Sequence, residues 1–435
     1  MTRRSEGTGS CLSASRSWFT VRARVRIATQ TSLLLGWLLA TGILVGQIDP
    51  EPRKMIQAGY NQPLEGRGPL AAYAYFYWNQ PSFPWTNTTL RAVVAPTYLD
   101  SELGFKNLLG PSTSVGVGIA GGGFADSYAE VDMGNLREDQ SFFGASGGIS
   151  GSLYHTFNPT PEGVRPTSFG EVPLQLVVRN SFQGVFYRPE SDTSPDFELP
   201  QNQPTYTVRG GLRWGGREPL LYPDAAFEIS AWYELAARGQ PGDYGYDNDR
   251  AIESISQLYW GRLLFSRKFD SNIRVEFTVI GGGSVDPDRF SAYRLGGFLP
   301  LGAEFPLVIP GYYVQEISAT SFALINGYLL YPLSTDGRWE IGVLGSAANV
   351  RYLPGLSLGQ PWNSGLGGGI AYHSPSGAWH LILSYGYGFS APRGDSRGAN
   401  SIAFALQYDF GEDQGRFFRN FLNNVGPSNW RGLFR

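Results

Sequence analysis

Alternation of side-chain character with a period of two residues is the feature that most limits what this chain can fold into. Between residues 378 and 390 the odd-numbered positions from Trp379 onward are all large aliphatic or aromatic residues, and the even-numbered positions are mostly small or polar. Segment 401–410 repeats the pattern, with its apolar residues at the even-numbered positions. Because successive side chains of a strand point to opposite faces, this alternation predicts strands with one apolar and one polar face.

The same alternation recurs along the chain after residue 50, where no stretch shows the 3.6-residue period of an amphipathic helix. Segments 206–214 and 273–279 show it clearly. Weaker versions lie at 70–78, 89–98, 113–120, 143–154, 172–187, 225–235, 254–266, 318–331, 338–350 and 362–373. Turn-forming residues such as Asp336-Gly337 separate these segments. No break in composition divides them, so we predict one all-β domain of about fourteen strands, a count that can miss one or two.

Composition narrows the classes of protein. Only 16 % of the residues are charged, whereas about 25 % is typical of soluble domains. The chain has 57 glycines and 14 % aromatic residues, which excludes a disordered chain and a coiled coil. The net charge is −3, so the chain has no excess of positive charge to bind phosphate groups. We therefore expect no nucleic acid as a partner.

The chemistry of the two strand faces distinguishes a soluble sandwich from a membrane barrel. The apolar faces end in aromatic residues, as do the girdles of membrane barrels: Trp214, Trp339, Trp362, Trp379, Tyr387, Phe389 and Phe410. The opposite faces carry the charges that we predict to face a lumen: Arg209, Arg213, Glu228, Arg274, Glu276, Arg338 and Glu340. Such charges are costly in a dry sandwich core and suit a polar lumen. We predict a transmembrane up-and-down antiparallel β-barrel of about 14–16 strands; the alternative is a secreted soluble β protein.

The first fifty residues indicate the compartment. Six arginines and one acidic residue precede an apolar run at 33–45, the pattern of a secretory signal peptide. The run is shorter than the ~20 residues of an ordinary membrane span, although an uncleaved anchor is the alternative. We predict a signal peptide over 1–46, a periplasmic N-terminal segment over 47–66 and an outer-membrane barrel over 67–410. On this prediction Cys11, the single cysteine, is removed with the signal peptide.

Three short motifs resemble sites of chemistry. Residues 116–121 fit G-x-G-x-x-G and residues 144–148 fit G-x-S-x-G, but neither is followed by the helix that a nucleotide site or a hydrolase requires. The acidic loop 243–249 lacks the spacing of a calcium-binding EF-hand. An outer-membrane lipase and a calcium loop are the alternatives. We predict no catalytic residue, no metal site, no cofactor and no enzyme activity.

The long connection at 281–317 is the most informative segment. Its prolines, among them Pro306 and Pro310, exclude it from a central strand. A connection of this length is uncommon unless it is functional, and its apolar residues require burial. We predict a loop folded into the barrel, with lumen-loop residues Arg294, Leu295, Gly296, Gly297, Pro310, Gly311 and Tyr312.

Residues 290–410 carry a family resemblance. The matching pieces are 295–297 opening the loop, Gly311-Tyr312, the strand end at 331–333, the glycine-rich 365–370 and a last strand ending at Phe410. This order resembles the C-terminal part of the bacterial surface antigen superfamily, outer-membrane barrels that include the barrel assembly factor and two-partner secretion transporters. In that family the inner loop carries Arg-Gly-aromatic, and the arginine contacts the lumen wall. This chain has Pro310 at that place, and Arg294 is the candidate to replace the arginine.

The tail at 411–435 follows the last predicted strand. Its apolar residues, Phe417, Phe418, Phe421, Leu422 and Val425, recur at helical spacing among arginines and asparagines. This pattern predicts a short amphipathic helix over 416–425, lying at the membrane surface or packed into the mouth of the barrel.

Together these features predict a protein of the bacterial outer membrane that performs no chemistry. The resemblance implies transport across that membrane, or protein assembly or secretion at it. A passive porin for small polar solutes and a secreted β-rich binding protein are the alternatives. The expected partners are outer-membrane lipid, the barrel assembly machinery during insertion, and a transported solute or polypeptide.

Overall fold

The computed structural model describes residues 52–95, 98–159, 172–297 and 305–411, and in these ranges sixteen strands close into one antiparallel barrel. The wall strands are β1 (Arg53–Pro63), β2 (Ala71–Pro81), β3 (Thr88–Val94), β4 (Leu99–Phe105), β5 (Thr113–Gly122), β6 (Asn135–Thr156), β7 (Leu174–Pro189), β8 (Gln203–Gly216), β9 (Ala225–Arg238), β10 (Ile255–Lys268), β11 (Arg274–Val285), β12 (Ile317–Pro332), β13 (Trp339–Tyr352), β14 (Trp362–His373), β15 (Trp379–Arg393) and β16 (Ser396–Asp409). Each strand pairs with the next in sequence. The first and last strands pair with each other, from Met55–Asp409 to Pro63–Ser401, which closes the barrel.

Short elements in the connections lie outside this wall. Tyr128–Asp132 pairs with the beginning of β6, and Tyr293–Leu295 pairs with the beginning of β12. Gly242–Tyr244 pairs with Arg250–Ile252, with a 3-10 turn at Tyr246–Asn248 between them. In the part of the chain that the structure describes, no helix is both long enough and apolar enough to cross a membrane.

The predicted up-and-down barrel of 14–16 strands is confirmed, with sixteen strands observed. All fourteen segments predicted from alternation lie on wall strands, and β1 and β4 are the two that were missed. In β4 the inward positions are Asp100, Glu102 and Gly104, and the outward position 101 is a serine. The apolar face of β4 is therefore too short and too interrupted to stand out in the sequence.

The predicted boundary between a periplasmic segment at 47–66 and a barrel at 67–410 is wrong at its N-terminal side. Strand β1 begins at Arg53 and pairs with both β2 and β16, so the wall begins inside the predicted periplasmic segment. Only Ile56, Ala58 and Tyr60 mark the outward face of β1, which is a weak signal. The predicted signal peptide at 1–46 and the predicted helix at 416–425 lie outside the described residues.

Side chains of the wall alternate between an outer and an inner face. On β15, outward Leu383 is 57 % exposed and outward Phe389 is 53 % exposed, whereas inward Ile382 is 4 % exposed. Other large apolar side chains exposed on the outer face include Val117, Phe182, Phe186, Leu212, Ile229, Leu263, Phe277, Ile325, Leu329, Val343, Leu366, Ile370 and Phe404. A closed sheet with this outer face and no free edge is the β architecture that can span lipid.

The two ends of the barrel differ. One end, here the termini end, holds the start of β1 and the end of β16, and several of its connections are short turns, at 269–273, 333–338 and 374–378. The opposite end, here the far end, holds the long connections 190–202, 239–254 and 286–316. Bacterial barrels have short periplasmic turns and longer extracellular loops. We therefore expect the termini end to face the periplasm.

An aromatic cluster caps the far end. Tyr128, Phe142, Phe197, Tyr244 and Ile252 are buried together, and Tyr187, Tyr246 and Phe290 pack around them. Burial raises the pKa of Tyr128 to about 12, so its hydroxyl stays protonated and donates to Glu130. Strand β6, with 22 residues, is longer than the ~9–11 residues that cross a membrane. Its first part therefore extends beyond the lipid and supports this cap.

Candidate functional site: the occupied lumen

The lumen has two chemically different walls. Strands β4 to β11 carry ion pairs that face inward: Arg179–Asp100 at 3.1 Å, Arg209–Glu234 at 2.6 Å, Arg262–Glu228 at 3.0 Å and Arg217–Glu276 at 2.8 Å, the last with its arginine just after β8. Strands β12 to β16 present mainly glycine, alanine, serine and aliphatic residues and fewer charges, among them Glu340 and Arg393. A buried charge is costly unless it is paired, which explains why the charged wall is built from matched pairs.

The predicted lumen-facing charges fall into two groups. The structure places Arg209, Arg213, Glu228, Arg274, Glu276 and Glu340 on inward positions of β8, β9, β11 and β13. Arg338 lies elsewhere, in the turn before β13, where its Nε is 3.0 Å from a carboxylate oxygen of Asp336 and both side chains are 47 % exposed. Alternation predicts the face only within a strand, and Arg338 precedes the first paired residue, Trp339.

The connection between β11 and β12, residues 286–316, is here called the inner loop. Its residue Phe305 packs edge-on against Trp232 and Trp260, with ring centroids 5.8 and 5.6 Å away. The guanidinium of Arg262 lies 4.4 Å from the Phe305 ring centroid, a cation–π contact. These contacts attach one side of the inner loop to the charged wall.

The tip of the inner loop docks on a groove of glycines in the opposite wall. A Cβ added to Gly365 would lie 2.4 Å from the carbonyl oxygen of Pro310, and one added to Gly386 would lie 2.7 Å from the Pro310 Cβ. Gly311 has φ +81°, and a Cβ on it would lie 1.9 Å from the backbone nitrogen of Gly388. Backbone approach this close requires glycine on both sides of the contact.

Tyr312 continues this docking by a polar contact. Its buried hydroxyl donates to Oδ1 of Asn363 on β14 at 3.1 Å, and Nδ2 of Asn363 donates to the Tyr352 hydroxyl at 2.8 Å. Around Tyr312 the loop residues Leu295 and Ile309 are fully buried in an apolar cluster. The predicted residues Pro310, Gly311 and Tyr312 therefore form one surface against the wall.

A buried ion pair fixes the end of the inner loop. Nη1 and Nη2 of Arg393, on β15, lie 2.8 and 3.1 Å from the two carboxylate oxygens of Glu316. Such a two-point contact is geometrically specific. The carboxylate also accepts the backbone N–H of Tyr313 at 2.7 Å, and the guanidinium lies 3.6 Å from the Tyr313 ring centroid. This pair was not predicted from the sequence, because no periodicity or spacing relates residues 77 positions apart.

Arg294 does not take the position of the loop arginine in the family that residues 290–410 resemble. It lies on the short strand Tyr293–Leu295, and its Nη2 donates to the carbonyl of Ala129 at 2.9 Å. Its guanidinium also lies 5.0 Å from the Tyr128 ring centroid, in the far-end cap. Arg294 thus connects the inner loop to the cap, while the arginine that joins loop and wall, Arg393, comes from the wall.

The predicted loop residues Gly296 and Gly297 lie where the inner loop turns back on itself. Gly296 donates its N–H to the carbonyl of Leu307 at 2.9 Å, and Gly297 forms a bridge with Ile309. Gly297 has φ +71°, and a Cβ on it would lie 2.3 Å from Cγ2 of Val314. The loop therefore doubles back on itself within the lumen.

The sequence motifs for other chemistry lie in strands. Residues 116–121 lie at the end of β5 and are followed by a turn, and residues 144–148 lie within β6, which continues as strand to Thr156. Within the described ranges no group of three or more His, Cys, Asp or Glu side chains is arranged to hold a metal ion.

A closed antiparallel barrel with an apolar outer face, a charged lumen wall and an inward-folded loop defines an integral outer-membrane β-barrel. No family profile matches the sequence, and no curated protein matches it. The fold does match solved structures.

CdiB from Acinetobacter baumannii matches with a TM-score of 0.52 and 10 % identity, over 82 % of this chain and 60 % of that one. CdiB from Escherichia coli matches with a TM-score of 0.52 and 9 % identity, over 81 % and 63 %. BamA from Haemophilus ducreyi lacking POTRA domains 1–3 matches with a TM-score of 0.50 and 10 % identity, over 89 % and 78 %. This chain therefore shares the barrel fold of these CdiB and BamA structures, as the resemblance implied.

Proposed function

We propose that this protein is a gated barrel that passes polypeptide across the outer membrane or inserts it there, with the inner loop as the gate. The observation that supports this most directly is the docking of Pro310-Gly311-Tyr312 on the glycine groove, fixed by the buried Arg393–Glu316 pair. An element fixed so specifically inside the lumen blocks the lumen for as long as these contacts persist.

A passive porin is the alternative, and occupation of the lumen argues against it. The inner loop contacts the charged wall through Phe305 and the glycine groove through Pro310, so it bridges the two walls. Porins leave an aqueous channel along their lumen. The ion-paired wall of β4 to β11 would line the path of a polar cargo once the loop is displaced.

The class of cargo is inferred from the family resemblance. Residues 290–410 resemble surface-antigen barrels, whose members assemble or secrete proteins, and the fold matches CdiB and BamA. The aligned region covers 60 % of the first CdiB chain. Polypeptide as cargo is therefore part of the proposal.

Single-channel recording in planar bilayers tests the gate. We expect the wild-type barrel to be mostly closed, and a variant with residues 297–315 replaced by a short Gly-Ser linker to open more often, because an obstacle in the lumen is gone. The matched control replaces the exposed turn residues Leu108 and Leu109, outside the lumen, with glycine and serine and should behave as wild type. A wild-type barrel with a large, constant conductance would establish the porin instead.

Site-specific photo-crosslinking in cells tests the cargo. A photoreactive side chain at Thr207, on the inward face of β8, should crosslink to polypeptides in transit, and one at outward Tyr206 should not. Equal yields from both positions, or none from Thr207 in a barrel that conducts small solutes, would contradict polypeptide transport.

A further inference from the structure

A second segment enters the lumen, from the termini end. Residues 217–224 connect β8 to β9, and we call them the cross-strap. They contact β14, β15, β16 and β1. In a closed barrel of sixteen strands, the β8–β9 connection lies half a circumference away from the seam where β16 meets β1. The cross-strap can reach that seam only by crossing the mouth of the lumen.

Polar contacts attach the cross-strap to both strands of the seam. Glu218 accepts a hydrogen bond from Nη2 of Arg53, on β1, at 3.2 Å. The carbonyl of Pro219 accepts from Nε2 of Gln57, also on β1, at 2.8 Å. The backbone N–H of Leu221 donates to Oε1 of Gln407, on β16, at 3.0 Å.

Apolar packing adds to these contacts. Leu221 is 2 % exposed and packs against Ala371, Ile382 and Ala405, one residue from each of β14, β15 and β16. A leucine in a segment that connects two strands at a barrel mouth would ordinarily be in water. Its nearly complete burial means that the cross-strap is seated in the lumen and not lying over its rim.

The near side of the cross-strap is held by β11. Nη1 of Arg217 lies 2.8 Å from Oε1 of Glu276, and Nη1 of Arg274 donates to the carbonyls of Tyr222 and Pro223 at 3.1 and 2.5 Å. The cross-strap is therefore fixed on opposite sides of the lumen, by a separate ion pair on each side.

A small cavity of about 30 Å³ lies in the lumen between the two inward segments. Tyr222 of the cross-strap and Pro310 of the inner loop both line it, together with Ser384 and Ala403 of the wall. The inner loop covers this chamber from the far end, and the cross-strap covers it from the termini end.

We propose that the cross-strap is a second gate, which closes the termini end of the lumen independently of the inner loop. Release of Glu218 from Arg53 and of Arg217 from Glu276 opens this end, so a cargo arriving there must first displace residues 217–224. The proposal rests on the proposed function only for what the cargo is. Closure itself can be measured as access to the chamber.

A cysteine at Ser384, in a Cys11→Ser background, reports that access. The barrel is reconstituted in one orientation, and a charged, membrane-impermeant methanethiosulfonate is added to one side at a time. We expect slow labelling from both sides in the parent. Arg217→Gln/Glu218→Gln should raise the labelling rate from the termini side alone by about tenfold. Loss of the two ion pairs lowers the stability of the closed state relative to the open state and so increases the population of the open state. The inner-loop replacement should raise the rate from the far side alone.

The matched control is Arg338→Gln, which breaks an exposed ion pair at the same end and should leave both rates unchanged. Rapid labelling of the parent from the termini side would overturn the second gate, and so would an unchanged rate in the folded double variant. Neither result depends on whether the cargo is a polypeptide or a solute.

A disulfide lock provides a test that does not require breaking the ion pairs. Leu221→Cys/Ala405→Cys joins two residues that pack together, and it is placed in the barrel with the inner-loop replacement. Oxidation should abolish the channel openings of that barrel, and reduction should restore them. Openings that persist unchanged in the oxidised barrel would overturn the proposal.

Discussion

At the scale of single residues, the position of a side chain on its strand decides whether it meets lipid or lumen. Phe182 and Gln183 are neighbours on β7, yet Phe182 is outward and 54 % exposed, while Gln183 points into the lumen. Two adjacent residues of the strand therefore lie in different environments, one facing hydrocarbon and the other facing a polar interior. The same charge should therefore destabilise the barrel much more at the first position than at the second.

We expect Phe182→Arg to destabilise the barrel by roughly 2–4 kcal/mol, because an arginine near the bilayer midplane must leave water. Gln183→Arg, the matched control, should cost much less because its charge stays in the lumen. Reversible urea unfolding in lipid vesicles measures both. Equal losses for the two variants would contradict the assigned faces of β7.

At the scale of elements, the inner loop is held by contacts of different chemical kinds. Phe305 packs on aromatic rings, Pro310-Gly311 needs close backbone approach, and Glu316 needs its arginine. The backbone contact tolerates the least change, because a strand wall cannot yield by an ångström at one residue without losing ladder hydrogen bonds.

Gly311→Ala should undock the tip of the inner loop. Its Cβ would lie 1.9 Å from the Gly388 nitrogen and 2.5 Å from the Ala399 carbonyl oxygen, and its φ is +81°. Gly355→Ala separates the two causes, since Gly355 has φ +83° but open space around it. We expect more frequent channel openings for Gly311→Ala and wild-type behaviour for Gly355→Ala. If both variants open to the same extent, backbone strain alone explains the effect, and the close contact with β15 does not contribute.

At the scale of the whole molecule, closure depends on the pairing of the first strand with the last. This seam pairs nine positions, among them Ala58 with Leu406. The register determines which side chains of β1 enter the lumen, including Gln57, which contacts the cross-strap. The pairing that closes the barrel wall therefore also places Gln57 where it holds the cross-strap in the lumen.

Crosslinking tests that register. In a Cys11→Ser background, Ala58→Cys/Leu406→Cys should form a disulfide, because directly paired residues have Cα atoms about 4.5–5.5 Å apart, within the range a disulfide spans. Ala58→Cys/Phe404→Cys, offset by two residues, should not. The oxidised first pair should migrate faster on a denaturing gel without reductant, because residues 58 to 406 then form a covalent ring. Equal crosslinking of the two pairs would contradict the observed seam.

The sequence by itself determined the secondary structure of the wall and the existence of the inner loop. Alternation reports which face a residue occupies, because the period of two is a local property of the strand backbone. It therefore predicted fourteen wall strands, and the apolar, proline-rich segment after residue 280 could only be a buried loop. It failed for β1 and β4, where the apolar faces are short, and at Arg338, which lies just before its strand.

Only the tertiary structure decided what the lumen contains. The Arg393–Glu316 pair, the glycine groove for Pro310 and the crossing of residues 217–224 to β1 and β16 join positions far apart in the chain. No local pattern encodes such contacts, because they arise only when closure of the barrel brings non-neighbouring strands and their connections together around one narrow lumen. The outer face of this protein is therefore encoded locally along each strand, whereas the contacts that hold residues 217–224 and the inner loop in the lumen exist only in the closed barrel.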